Sequence, residues 1–265
     1  MLRILFIGDV VGKPARRAVA AILPALRQEH RPDVVIANAE NLAHGKGVTR
    51  ETLNELLVAG VDFFTSGNHI WSKPEGIELL TTSESVLLRP ANYPQKNPGV
   101  GAKVIPVGTK SLLVINLMGT VNMHASVANP FLMLDEILAS YRTQKIDAIF
   151  VDFHAEVTSE KNVFGLHADG KVSAVVGTHT HIPTADECVL PQGTAYIADV
   201  GMVGLKYSSL GIDYESMLQN FLTGMPAKHT ISEHGRVVFN SVLIDIDTST
   251  KKATSITRIQ KEVDV

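Results

Sequence analysis

Residues 3–9 read Arg-Ile-Leu-Phe-Ile-Gly-Asp, an apolar run short enough for a buried strand and ended by glycine and a carboxylate. The pattern then repeats. Pro14–Gln28, rich in Ala, Leu and Arg, reads as a helix, and Asp33–Ala37 as a second strand. Thr49–Ala59 reads as a helix with Thr49 as its N-cap, and Val61–Thr65 as a third strand. Strands and helices alternating at this spacing predict parallel strands covered by helices.

Outward from this opening the character changes. Pro90 to Gly101 holds three prolines and two glycines and must be a loop. Strands are expected at Lys103–Val107 and Ser111–Leu117, around a turn at Gly108, then a helix at Pro130–Tyr141 and a strand at Ala148–Phe153. A helix at Ser159–Ala168 and a strand at Ser173–Gly177 follow. Glu187–Leu190 and Thr194–Ala198 flank a Pro-Gln-Gly turn, Tyr214–Leu222 reads as a helix, and Val237–Ile246 and Ala253–Gln260 close the chain as alternating strands. No repeat or linker interrupts the series. One α/β domain over residues 1–265 is expected, with a mixed sheet or two packed sheets.

The 265 residues carry 24 basic and 27 acidic side chains, a net charge of −3, with 45% hydrophobic and 19% charged residues. That balance is globular rather than disordered. Mild acidity argues against a general nucleic-acid binder, while a small phosphorylated substrate stays open because a local cation can override a weak global charge. The one cysteine, Cys188, permits neither an intramolecular disulfide nor a Cys-based zinc site, and buried packing is expected for it. Asp9 comes too early for a secretory segment, and no stretch approaches the roughly 18 apolar residues of a membrane span. A soluble, cytoplasmic protein is expected.

The polar residues cluster where predicted strands end. Gly8-Asp9 follows the first strand, Asn38-Ala39-Glu40-Asn41 the second and Gly67-Asn68-His69 the third. Asp152-Phe153-His154-Ala155-Glu156 and Gly177-Thr178-His179-Thr180-His181 close two later ones. Ligands of open α/β sheets bind at the carboxyl ends of strands. Alone, Asp9 would be a turn residue, Asn68-His69 loop hydrogen bonding, and His154 a satisfied core histidine. Together they are hard to explain by folding. His179 and His181, spaced by two in an extended segment, would present both rings to one side. A dinucleotide loop at Gly8–Gly12 fails, because G-x-G-x-x-G is absent and Asp9 would repel pyrophosphate.

Carboxylate, amide and imidazole without thiolate suit Mn, Fe, Zn or Co. Asp9, Glu40, Asn41, Asn68, His154, His179 and His181 are too many for one ion and would divide around two, with one carboxylate bridging. Two ions roughly 3.5–4 Å apart can clamp a phosphate and generate a hydroxide nucleophile.

This constellation resembles the calcineurin-like metallophosphoesterases, which carry D-x-H, G-D, G-N-H-D/E, a lone H and G-H-x-H. Three departures stand out: Asp9-Val10-Val11 lacks the first histidine, Glu40-Asn41 stands at the bridging aspartate, and Gly177–His181 replaces the last motif. These departures are similar to a narrower bacterial family, the YmdB-like phosphodiesterases. Shared motifs are GDVVG, N-x-EN, GKG, GNH-x-W, LRP-x-NYP, DFHAE-x-TSEK, GTHTH-x-x-TAD and GTAY-x-x-DVGM, spanning Met1 to about Gly224.

The resemblance implies a four-layer α/β/β/α metallophosphoesterase sandwich and two metal ions, most commonly iron or manganese, with Zn or Mg also compatible. It assigns Asp9, Glu40, Asn41 and His181 to one ion, and Asn68, His154 and His179 with the bridging Glu40 to the other. His69 takes the place of the leaving-group acid or phosphate donor. The activity implied is hydrolysis of small phosphodiesters, 2′,3′-cyclic nucleotides above all, by a metal-bound hydroxide. A general phosphomonoesterase, or a metal-containing regulator of RNA-processing partners with little turnover, is the alternative. A homo-oligomer, dimer or tetramer, is also implied.

Thr120 replaces an Arg of several relatives, which puts a phosphate or subunit contact in question, and Lys206-Tyr207 replaces a Pro-containing turn. Trp71 is expected to pack against a strand rather than stack a nucleobase. His44 and Lys46 are placed equally well in a solvated loop or on phosphate. Glu156 and Asp186 are expected to orient imidazoles. His124, His167 and His229 have no companions.

Overall fold

The computed structural model describes residues 1–82, 84–226, 228 and 230–265; His229 lies outside them. Along the first half run β1 (Leu2–Ile7), β2 (Asp9–Val10), α1 (Gly12–His30), β3 (Val34–Asn38), α2 (Arg50–Ala59), β4 (Phe63–Thr65), α3 (Pro74–Thr81), β5 (Ala102–Val107), β6 (Lys110–Met118) and α4 (Pro130–Ser140). The second half adds β7 (Ala148–His154), α5 (Thr158–Ala168), β8 (Ala174–Thr178), β9 (Cys188–Val189), β10 (Ala195–Ile197), β11 (Met202–Leu205), α6 (Tyr214–Thr223), β12 (Arg236–Asp247) and β13 (Lys252–Asp264).

Two mixed sheets result. The first runs β2-β11-β12-β1-β3-β4, with β13 also on β12; the second runs β5-β6-β7-β8-β10-β9. Strand periodicity sorts side chains into three apolar layers, because successive residues point to opposite faces. In β1, Leu2, Ile4 and Phe6 enter the core between the sheets, while Leu5 and Ile7 face α1 and α2. In β6, Leu112 and Val114 enter the same central core, and Leu113, Ile115 and Leu117 pack under α4 and α5. The order helix, sheet, sheet, helix is therefore the α/β/β/α sandwich expected.

β1, β3 and β4 run parallel in the first sheet, and β6, β7, β8 and β10 in the second. Their carboxyl ends meet at one edge of the sandwich. Thr49 caps α2 as expected, accepting from the Thr52 amide while Thr52 Oγ1 accepts from the Thr49 amide.

Some details correct the sequence reading. Residues 9–10 are not a turn but β2, paired parallel to β11. Strand β11 and helix α3 went unread: β11 is four residues long and contains Gly204, and α3 is a short helix opened by Pro74. Cys188 is exposed, because β9 is a two-residue edge strand with neither residue buried. Trp71 packs against the core rather than standing free, and meets Tyr93 of the loop before β5, not a strand, edge-to-face at 5.2 Å. Among the described residues no helix is long and apolar enough to cross a membrane.

Candidate metal centre

The expected site residues are gathered at the shared sheet edge. Glu40 and Asn41 follow β3, and Asn68 and His69 follow β4; His154 ends β7, and His179 and His181 lie just past β8. Glu40, Asn41, His69, His179 and His181 line one cavity of about 470 Å³. Asp9 and His154 are fully buried beneath it.

At its floor four acceptor-bearing atoms converge. His154 Nε2 lies 3.1 Å from Glu40 Oε1, 3.1 Å from Asn68 Oδ1 and 3.0 Å from His179 Nδ1. The proton count can be followed through the network beneath. Thr178 Oγ1 donates to Asp152 Oδ1 at 2.7 Å, so towards His154 Nδ1, 2.9 Å away, it can only accept. His154 Nδ1 therefore carries a proton, and Nε2 is the atom turned to the cluster. His179 Nε2 faces Glu156 Oε2 at 3.0 Å, which places its proton there and leaves Nδ1 a lone pair. Glu156 thus orients an imidazole, as expected. Asp186 does not: its Oδ1 accepts from the Ala198 amide instead.

One ring nitrogen holds at most one proton, yet three acceptors surround His154 Nε2. A shared cation resolves the crowding. Ligand atoms at right angles, each roughly 2.1 Å from an ion, lie roughly 3.0 Å from one another. Glu40, His154 and His179 form a group able to hold a metal ion.

A second set of unsatisfied acceptors lies alongside. Asp9 Oδ1 and Asn41 Oδ1 are buried without a hydrogen-bond partner among the described residues. Asn41 Nδ2 donates to the Gly45 carbonyl at 2.8 Å, which fixes the amide with its oxygen free. Asp9 Oδ2 accepts from the His179 amide at 3.1 Å. His181 Nδ1 meets the Leu210 carbonyl at 3.2 Å, leaving Nε2 available. An orphaned buried acceptor costs about 1–3 kcal/mol, which a cation would offset.

Electrostatics agree. Burial pushes the Asp9 carboxyl above its usual range, with partial relief from His181 and His154. Burial also opposes ionisation of Glu40, but the charge and hydrogen bond of His154 outweigh it and hold its pKa at about 2. His154 is opposed by burial in turn and raised to about 9 by Glu40 and the nearby aspartates. Burial and the charge of His154 bring His179 down to about 3. Without cations, the centre is a buried Glu40–His154 ion pair with spare acceptors around it.

His69 enters differently. Its amide donates to Glu40 Oε2 at 3.0 Å, and its half-buried ring faces the cavity, with a pKa lowered chiefly by burial. Gly67 makes the cradle possible, since a Cβ there would sit 2.2 Å from His154 Nε2 and 2.4 Å from Glu40 Oε2.

With this geometry the chain can be set beside known proteins. A family model described as "YmdB-like protein" matches residues 5–259. The chain belongs to this YmdB-like family. It is 46% identical over 258 residues to a Bacillus subtilis (strain 168) protein named 2′,3′-cyclic-nucleotide 2′-phosphodiesterase, covering 97% of this chain and 96% of the other. A crystal structure titled as a hypothetical protein from Thermus thermophilus matches with a TM-score of 0.91 and 41% identity, covering 98% and 99% of the two chains. One titled as a novel phosphatase, from Mycoplasma pneumoniae, matches at 0.92 and 35%, covering 99% and 94%. The YmdB-like family and the donor set both imply divalent metal ions.

One correction concerns the last of the motifs. The His-x-His pair is not extended: β8 stops at Thr178, and His179 and His181 adopt φ of +99° and +66°. Left-handed backbone is costly for residues with a Cβ and needs support. Lys161 and Asp199, which sequence reading missed, supply it. Lys161 Nζ donates to the Thr178 carbonyl at 2.9 Å and Asp199 Oδ2 at 2.6 Å, and that oxygen accepts from the Thr180 amide and hydroxyl. Thr120 is turned away from the cavity, its amide and hydroxyl both on Glu160 Oε1.

Proposed function

We propose that residues 1–265 act as one domain that hydrolyses phosphodiesters with two metal ions, 2′,3′-cyclic nucleotides being the substrates. The observation that carries this is the crowd of acceptors at the sheet edge: four atoms about one point, with the orphaned oxygens of Asp9 and Asn41 beside them. Asp9, Glu40, Asn41 and His181 would hold one ion; Glu40, Asn68, His154 and His179 would hold the other. Iron or manganese suits this oxygen and imidazole set. When bound, such ions supply an activated water and neutralise charge on the phosphate. The name of the Bacillus subtilis relative supports the cyclic-nucleotide substrate.

The test is turnover by protein purified without chelator. We expect transition metal by elemental analysis, hydrolysis of 2′,3′-cyclic AMP and bis-p-nitrophenyl phosphate, and loss of both after chelation. Rapid turnover of p-nitrophenyl phosphate alone would make the protein a phosphomonoesterase. No turnover of any ester with metal bound would favour a regulator.

Within this reading His69 donates a proton to the departing alkoxide. Its amide is tied to Glu40 while its ring is left to the cavity, where it can reach substrate without taking a coordination position. His69→Ala is expected to keep its metal and lose about 10²–10⁴-fold in rate for ribose leaving groups, with smaller losses for nitrophenolate. Equal losses for both would assign His69 to phosphate binding instead.

A further inference from the structure

The cavity is much larger than a metal-held phosphate requires, and its walls differ in character. About 470 Å³ places it among sites for whole small molecules, which commonly span ~300–1,000 Å³. Leu210, Ile212 and Ile231 line it, none of them fully buried, with Ile231 also packed against the core beneath α1 and α2. Leu210 is 44% exposed and sits at φ +54°, a conformation costly for a side chain that fills no core. Its carbonyl meets His181 Nδ1, so this apolar wall is fastened directly to the metal centre. Lys46 and Lys73 line the same cavity, and neither forms an ion pair among the described residues. A lining that combines three aliphatic side chains with two lysines suits an anion that carries a flat apolar group.

We propose that Leu210, Ile212 and Ile231 form the surface on which the base of a nucleotide substrate lies, while Lys46 and Lys73 hold phosphate charge. This rests on the phosphodiesterase reading and adds to it a reason for preferring nucleotides to other phosphodiesters. Aliphatic side chains stack on any base without hydrogen-bond selection, so the site distinguishes base from no base and discriminates poorly among bases.

The experiment compares 2′,3′-cyclic AMP with ribose 2,3-cyclic phosphate, which lacks a base, using metal-loaded protein. The base-bearing substrate is expected to have a kcat/KM about tenfold higher or more, the scale of one modest apolar contact. In Ile212→Ser/Ile231→Ser that ratio should fall towards one. Calorimetric binding of 3′-AMP against ribose 3-phosphate gives a second, turnover-free measure of the same preference. Leu210→Ala, at an already exposed position, serves if the double variant does not fold. Equal treatment of both substrates and both products by the unaltered protein overturns the base surface and leaves the phosphodiesterase reading standing. A preference that survives the substitutions places the base elsewhere and equally overturns it. Failure to hydrolyse any phosphodiester removes the activity, while a retained preference for 3′-AMP that the substitutions erase still supports the wall.

Discussion

Glu40→Gln is expected to reduce turnover of 2′,3′-cyclic AMP by about 10³-fold or more, on the order of 4 kcal/mol of lost transition-state stabilisation. The side chain keeps its shape, so the effect isolates charge. Glu40 Oε1 stands 3.1 Å from His154 Nε2 and its other oxygen accepts from the His69 amide. An amide could keep the second contact but would turn an N–H, or a far weaker oxygen donor, towards the ions. Both proposed ions would lose the same carboxylate at once, so metal content by elemental analysis should fall together with rate. Circular dichroism matching that of the unaltered protein would show that the fold is retained. A fully active variant with its metal intact would remove the bridging role.

The second large effect is on stability. Lys161→Met should lower the unfolding free energy by about 3–5 kcal/mol, the usual loss when one partner of a buried ion pair is removed. Lys161 and Asp199 are 3% and 1% exposed, and the Asp199 carboxylate would keep its hydrogen bonds to Thr180 and Gly201 while losing the cation beside it. Urea denaturation measures the loss. Lys161→Met/Asp199→Asn should recover part of it, because no lone charge then stays buried. Activity should not recover in parallel, since the Thr178 carbonyl and the left-handed segment carrying His179 and His181 still lack the ammonium. A Lys161→Met protein as stable as the original would assign the pair no such role.

These two residues also mark where sequence reading stopped. The strands were legible because burial on both faces leaves unbroken apolar runs, as in Val34–Ala37 and Ala174–Val176. The cluster was legible because each proposed ligand stands immediately beyond such a run or closes it. Lys161 is the fourth residue of α5 and Asp199 follows a strand, 38 positions apart. Each looks ordinary alone, and only the fold shows that they meet. The backbone at His179 and His181 was hidden for another reason. Left-handed segments are usually signalled by glycine, and Thr-His-Thr-His contains none. α3 did leave a signal in Pro74 at its first turn, weakened by Gly76 two residues on. Cys188 misled because its apolar neighbours look the same on an edge strand as on a central one.

The division of the centre between the sheets has a consequence beyond catalysis. Asp9, Glu40, Asn41, Asn68 and His69 belong to the first sheet's edge, and His154, His179 and His181 to the second's. Asn38 and Thr65 of one sheet both reach Asp152 of the other, at 3.0 and 2.5 Å, just below. Neither half of the chain supplies all the ligands proposed for either ion. An ion bound here is a cross-link as much as a cofactor, tightening where the two layers would first part. The seam proposed to do the chemistry would then also depend on the halves docking correctly. A chain whose two sheets were misaligned would not bring the proposed ligands together, and the edge would lose that cross-link.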